Sequence, residues 1–213
     1  MIVAIDGPAG VGKSSIAQMV AKKTGMFYIN SGNLYRGITW EILRRFPEGP
    51  RKENEEEMVK IAAECDFDIR EGDLYLNGMN IEPELHTDAV DRWVAQVSSV
   101  VKIRSIVNSL LRKLARHMNA VVEGRDITTV VFPDAKVKIF LDASVETRAE
   151  RRYHQGTSNL SIQEIADSIR QRDELDRNKV EGRLKLADDA VYIDTSDLTM
   201  TQVCEKVIDK IPQ

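Results

Sequence analysis

The octapeptide GPAGVGKS, Gly7 to Ser14, constrains this chain more than any other stretch, because it fits the phosphate-loop pattern GxxxxGK[ST]. Its flanks agree: an apolar run, Ile2–Asp6, precedes it and a helical pattern, Lys13 to about Lys23, comes after it. Glycines let backbone amides curl around phosphate oxygens, and the helix N-terminus adds positive potential. The pattern therefore assigns a nucleoside triphosphate to Gly7, Pro8, Ala9, Gly10, Val11, Gly12, Lys13, Ser14 and Ser15. Lys13 reaches the β- and γ-phosphates, and the Ser14 hydroxyl is the ligand for Mg²⁺.

Beyond the loop, MFYIN (26–30) reads as a second strand and 34–45 as a second helix, ended by Pro47, Gly49 and Pro50. Residues 67–70, 74–76 and 79–81, with turns at Glu71-Gly72 and Asn77-Gly78, predict a small antiparallel meander. From Ala89 to Arg116 apolar residues recur every three or four positions, with a phase slip near Lys102 that predicts a bend or two helices. In AVVEGRDITTVVFPDAKVKIFLD (120–142), the apolar runs on either side of Glu123, Gly124, Arg125 and Asp126 read as buried strands. A helix starts at Ser144 and runs through Arg152. Ser161 and Thr199 each open a capping box, and 190–196 reads as a last buried strand. Strands alternating with helices imply a parallel sheet covered on both faces, with the meander inserted.

Composition excludes several classes. With 42% hydrophobic and 30% charged residues in 213, the chain has the balance of a soluble globular protein. No apolar run approaches the roughly 20 residues of a membrane span. The N-terminus shows no signal pattern, and Cys65 and Cys204 form no metal or disulfide motif. These features predict a cytoplasmic protein. Residues 47–91 hold 14 acidic and 4 basic residues, a net of −10 within a total of −4, which leaves +6 elsewhere. That distribution disfavours a general nucleic-acid binder and suits a basic pocket for a small anion; the stretch EGPRKENEEEM reads as a solvated segment.

Among phosphate-loop proteins, a GTPase would need DxxG, and no glycine here has an aspartate three residues before it. The NKVE at 178–181 comes after a helix and lacks the required aspartate. Arginines cluster instead, at Arg148, Arg151 and Arg152 and at Arg170, Arg172 and Arg177. Phosphoryl transfer to a second phosphate needs such cations, since the acceptor oxygen is already largely ionised with a second pKa of about 6, and no general base is required. About half of these arginines fit ordinary surface ion pairs as well.

The segments AIDGPAGVGKSSIA, YINSGNLYRGIT, VVEGRDITTVVFPDAKVKIFLDAS, RAERRY and RDELDRN, in this order, resemble the bacterial cytidylate kinases over nearly the whole chain. The resemblance implies an α/β phosphate-loop fold in three layers, with a central parallel sheet, an inserted antiparallel monophosphate-binding domain at 47–96 within a core of 1–46 and 97–213, and a helical lid at about 148–162. It implies transfer of the γ-phosphoryl group of ATP, with Mg²⁺, to CMP or dCMP. The absence of a spare apolar stripe on any expected helix predicts a monomer, and charge and hydropathy predict neither nucleic acid nor membrane as a partner. Asp126 would accept from the cytosine amino group, as carboxylates do from that group elsewhere, and Arg125 and Arg36 would bind the acceptor phosphate. Ser31, Ser98, Arg172, Asp176 and Lys179 would complete the acceptor site, and Lys13, Arg125, Arg148, Arg151 and Arg152 would stabilise the transferring group. Four positions depart from the family. Val107 stands where a cytosine-contacting arginine is expected nine residues after Ser98, with Arg104 and Arg112 nearby as alternative guanidiniums off the matching position; Lys179 replaces an arginine, and RLKLA (183–187) lacks two prolines. A kinase for another acceptor such as UMP, or a non-catalytic nucleotide-binding module, are the rival readings.

Overall fold

The structure is a computed structural model and describes residues 1–156, 160–179 and 181–212. The chain divides into two compact units, one made of Met1–Ile29 with Met118–Gln213 and the other of Asn30–His117.

The first unit is built on a five-stranded sheet. Its strands are β1 (Ile2–Asp6), β2 (Phe27–Asn30), β6 (Ala120–Gly124), β7 (Val137–Asp142) and β8 (Val191–Asp194), in the order β2-β6-β1-β7-β8. The pairings β1–β6, β1–β7 and β7–β8 are parallel. β1, β6 and most of β7 are buried on both faces, which is why they read as continuous apolar runs rather than alternating ones. Helices α1 (Lys13–Thr24) and α8 (Met200–Ile208) pack together beside the sheet, and α6 (Val145–His154) packs on α7 (Ile162–Asn178). Val3, Ile5, Ile16, Val20, Val121, Ile139 and Leu141 form the main core, each burial contributing roughly 1.5–3 kcal/mol. Ser161 and Thr199 cap α7 and α8 as full capping boxes.

The apolar run after Arg125 is not a strand. Ile127–Val131 winds into a π-helical turn, with the Val131 amide donating to the Asp126 carbonyl and the Phe132 amide to that of Ile127. Its leading amides, those of Ile127 and Thr128, leave the helical ladder for the Asp6 carboxylate on β1, so the start of the run closes on a side chain rather than on a sheet ladder.

The second unit contains α2 (Ser31–Arg45), α3 (Glu55–Glu64), the meander β3 (Phe67–Arg70), β4 (Asp73–Leu76) and β5 (Met79–Asn80), then α4 (Asp88–Ser99) and α5 (Val101–Ala115). It is wider than the expected insertion at 47–96 because α2 packs on α3, α4 and α5, and α5 packs on β3. The expected lid includes residues 157–159, which lie outside the described residues. The predicted break between two helices falls at Val100, whose extended backbone separates α4 from α5. The acidic stretch is partly helix. Glu55, Glu56 and Glu57 occupy the first turn of α3, where the helix dipole favours them, while Met58, Ile61 and Ala62 face inward.

Gly37 sets how closely α2 approaches the meander. A Cβ there would lie 2.7 Å from the Phe67 ring and 2.8 Å from Ile81. Gly37→Ala sets two terms against each other: helix propensity favours alanine by about 1 kcal/mol, and overpacking costs about 1–3 kcal/mol. A net loss of stability is expected in urea unfolding; a raised midpoint would show that the contact relaxes freely.

Candidate active site

The phosphate loop runs from Gly7 to Gly12 between β1 and α1. Gly7 is required by crowding, since a Cβ would sit 2.2 Å from the Leu141 carbonyl oxygen. Gly12 is the N-cap of α1 in the left-handed region, with φ 95° and no side-chain cap, and α1 has no acidic residue in its first turn. The positive end of the helix is thus not answered by any local carboxylate. Ser14 and Ser15 are exposed, whereas Lys13 is 6% exposed.

A loop that turns amides inward turns its carbonyls toward the protein, and here three consecutive carbonyls each meet a cation. Arg125 Nη1 donates to Gly7 O at 3.2 Å, Lys13 Nζ to Pro8 O at 2.9 Å, and Arg148 Nη1 to Ala9 O at 3.0 Å. Both guanidiniums continue to carboxylates three residues apart on α7. Arg125 Nε donates to Asp176 Oδ2 at 2.8 Å; Arg148 donates to both oxygens of Asp173 at 3.0 and 2.6 Å, and its Nε to Ala143 O at 3.1 Å. Lys179 Nζ holds the other Asp176 oxygen at 2.8 Å. Burial pushes the Asp176 carboxyl up, but Arg125 and Lys179 outweigh it and hold the group below its ordinary value.

Arg148 therefore lies buried at 2% exposure rather than on a lid surface. Arg151 is half-buried and donates to the Thr195 carbonyl at 2.6 Å and to its hydroxyl at 3.1 Å. Arg152 is exposed, with no ion-pair partner among the described residues, and Arg172 is exposed on α7. Arg170 pairs on the surface with Asp167 and Glu146, an arrangement of small energetic weight. A cavity of about 440 Å³ opens beside this cluster, lined by Asp142, Ser144, Arg148, Asp173, Arg177 and Asn178 rather than by the phosphate loop.

The charges Glu123, Arg125 and Asp126 at the end of β6 have partners. Tyr28 donates to Glu123 at 3.0 Å. Asp126 is 5% exposed at the start of the π-helical turn. That turn hangs from Asp6, the fully buried last residue of β1, whose carboxylate accepts from the Ile127 amide (2.9 Å), the Thr128 amide (2.7 Å) and the Thr128 hydroxyl (2.6 Å). Burial raises the Asp6 carboxyl to about 6 despite these three donors. No motif points to Asp6; the one signal for it in the sequence is an aspartate closing an otherwise apolar strand directly before a phosphate loop.

In the second unit Asn30 caps α2 by accepting from the Gly32 amide at 2.8 Å, which fixes Ser31 at the helix start, 7% exposed. Arg36 donates to Asp91 at 2.5 Å and to the Leu85 carbonyl at 3.0 Å. The Ser98 hydroxyl bonds back to the Ala95 carbonyl at 3.1 Å. Val107 is fully buried in the core. Arg104, 7% exposed, lies 5.6 Å over the Tyr35 ring with Nη1 3.4 Å from the Ser98 carbonyl. The nine-residue spacing counted from Ser98 lands on Val107, three residues further along α5 than Arg104.

No group of three or more His, Cys, Asp or Glu able to hold a metal exists among the described residues. The exposed Ser14 hydroxyl fits a hard cation that takes most of its oxygens from phosphates and water, as Mg²⁺ does.

A parallel sheet with a glycine-rich loop leading into α1, together with a separate small antiparallel sheet, defines a phosphate-loop kinase fold. A protein from Eubacterium ventriosum, described as uncharacterized, shares that fold with a TM-score of 0.52 at 13% identity, over 98% of this chain and 96% of that one. The family model described as Cytidylate kinase matches residues 3–213. "Cytidylate kinase 1" of Borreliella afzelii is 41% identical over 99% of this chain and 96% of its own length, and "Cytidylate kinase" of Borrelia duttonii is 42% identical over 98% and 96%. The chain belongs to the cytidylate kinase family.

Burial, and after it the charge of Arg125, lowers the Lys13 ammonium to about 7 from its ordinary 10.5, against the pull of Glu123, Asp6 and Asp176. Between about 7 and 10.5 the unfolded chain holds a proton that the folded chain releases, so this group's contribution to stability rises with pH there. Near neutral pH a buried lysine of this kind opposes folding by an amount on the order of a few kcal/mol. Lys13→Met is expected to raise the Tm of the ligand-free protein at pH 7 while abolishing phosphoryl transfer. A lowered Tm would show that the Pro8 contact outweighs the desolvation.

Proposed function

We propose that this protein transfers the γ-phosphoryl group of ATP to CMP and dCMP, releasing ADP with CDP or dCDP. The observation that carries the reading is membership of the cytidylate kinase family across residues 3–213, in a chain that keeps Lys13, Ser14, Arg125 and Asp126. ATP phosphates would lie on the amides of residues 7–15, and Mg²⁺, held through Ser14, would neutralise charge on them. The protein would work in the cytoplasm as a monomer on free nucleotides; no described helix is long and apolar enough to cross a membrane.

The acceptor phosphate needs no base, so the chain's part is cationic. Lys13 and Arg125 each hold a loop carbonyl by a single hydrogen bond and can exchange it for phosphate oxygen. Arg151 and Arg152 would approach the donor phosphates from α6. Arg36, Arg172 and Lys179 would hold the acceptor phosphate and ribose, with Asp176 as the carboxylate that fixes Arg125 and Lys179. Ser31 would contact the acceptor nucleotide.

For the base, Asp126 would accept from the cytosine amino group and Arg104 would donate to the ring acceptors O2 and N3. Anchored on Arg104, the family's nine-residue spacing falls on Ala95 rather than Ser98. The base-contacting arginine is then retained and its serine partner is the group replaced. This favours cytosine over uracil, which offers a carbonyl where cytosine has the amino group.

Coupled ADP release with ATP-Mg²⁺ and, separately, CMP, dCMP, UMP, AMP, GMP and dTMP tests the reading. CMP and dCMP are expected to lead UMP by about 10-fold or more, the size of one charged hydrogen bond. Equal use of UMP would refute the base assignment, and no transfer to any monophosphate would refute the activity. Arg104→Met is expected to raise KM for CMP about 10–100-fold with KM for ATP nearly unchanged. Equal effects on both would remove Arg104 from the base site.

A further inference from the structure

We propose that Arg148 is a positioning residue for the donor phosphate loop, the permanent anchor of its Ala9 carbonyl, rather than a cation that visits the phosphates. The inference rests on the kinase reading and names the device that holds its donor site in shape.

The three cations on the loop carbonyls differ in how firmly they are committed. Lys13 spends one hydrogen bond on Pro8, and Arg125 keeps its side chain 23% exposed. Arg148 is 2% exposed, and its hydrogen bonds engage Nε, Nη1 and Nη2 together, on Ala143 O, Ala9 O and both oxygens of Asp173. To reach a phosphate it would have to strip a buried carboxylate of a bidentate partner, which leaves an uncompensated buried charge. Asp173 is itself 6% exposed, so the penalty has no solvent to relieve it.

The partners of Arg148 also explain what it fixes. Ala143 directly succeeds β7, so one end of the guanidinium is referenced to the rigid sheet. Asp173 lies on α7, one turn before the Asp176 that holds Arg125. Ala9 takes the remaining bond of Nη1, and the neighbouring Gly10 passes close enough that a Cβ would sit 3.6 Å from the Arg148 Cβ. The tip of the loop is thereby set against sheet and helix at once. Only a planar fork serves all of these directions; an ammonium could satisfy the carboxylate but not the carbonyls on either side.

The test separates positioning from plain structural support. Arg148→Lys retains the buried charge opposite Asp173 and gives up the simultaneous bonds to Ala9 and Ala143. Equilibrium binding by calorimetry is expected to show Kd for ATP and for ADP raised about 10–100-fold, with Kd for CMP within about 3-fold of wild type. KM for ATP should rise in parallel. ATP affinity within about 3-fold of wild type, or equal losses for ATP and CMP, would overturn the proposal.

Arg148→Met/Asp173→Met keeps it falsifiable if the lysine variant folds poorly, because replacing both members of a buried pair by apolar groups is often neutral for stability. Recovered Tm with ATP binding still weak supports positioning, and recovered Tm with wild-type ATP binding overturns it. Wild-type protein is measured alongside; if it binds no ATP, the phosphate-loop reading falls first and this one with it.

Discussion

A backbone loop that points its amides at an anion must point carbonyls somewhere else, and those carbonyls need donors of their own. In this protein the donors on Gly7, Pro8 and Ala9 are Arg125, Lys13 and Arg148, drawn from the end of β6, the start of α1 and the middle of α6. That requirement gathers positive charge under the loop before any nucleotide arrives. It also dictates the acids: Asp173 and Asp176, one turn apart on α7, balance the two guanidiniums and tie the loop to a helix far along the chain.

Burying this much charge is unfavourable, and the titration shifts show where the strain falls. Desolvation moves Asp6 up to about 6 and Lys13 down to about 7, each toward its neutral form. Asp176, by contrast, is held in its charged form by Arg125 and Lys179. Lys13 is the weakly answered side of the balance, because its ammonium donates to the Pro8 carbonyl, a neutral acceptor. An anion bound beside it would favour the charged form, and binding would then be linked to stability through this residue. Asp6 has a different use. Its three donors come from the π-helical turn, so the strand that launches the phosphate loop also fixes the segment that begins with Asp126.

Much of this is legible in the sequence, because the signals are local. The phosphate loop, the alternation of strands and helices, the Asn77-Gly78 hairpin, both capping boxes and the break near Val100 each depend on residues within about one turn of one another. The features that escape depend on distant partners. Ile127–Val131 has the composition of a strand, but its amides bond to a carboxylate more than 120 residues earlier, and no local pattern announces that. Arg148 sits in a helix rich in charged residues, and only Asp173, Ala9 and Ala143 show that it faces inward.

The second unit shows the same limit at the scale of a single helix. Arg104 and Val107 lie three residues apart on one face of α5, and both are buried, yet one must be charged and the other apolar. The difference is set by the break at Val100. Where α4 ends, its last carbonyls lose their helical partners, and Arg104, in the first turn of α5, is near enough to donate to that of Ser98. Val107, a turn further in, is fully buried. The feature of Ser98 that the structure uses is therefore its backbone carbonyl rather than its hydroxyl, which bonds back within its own helix.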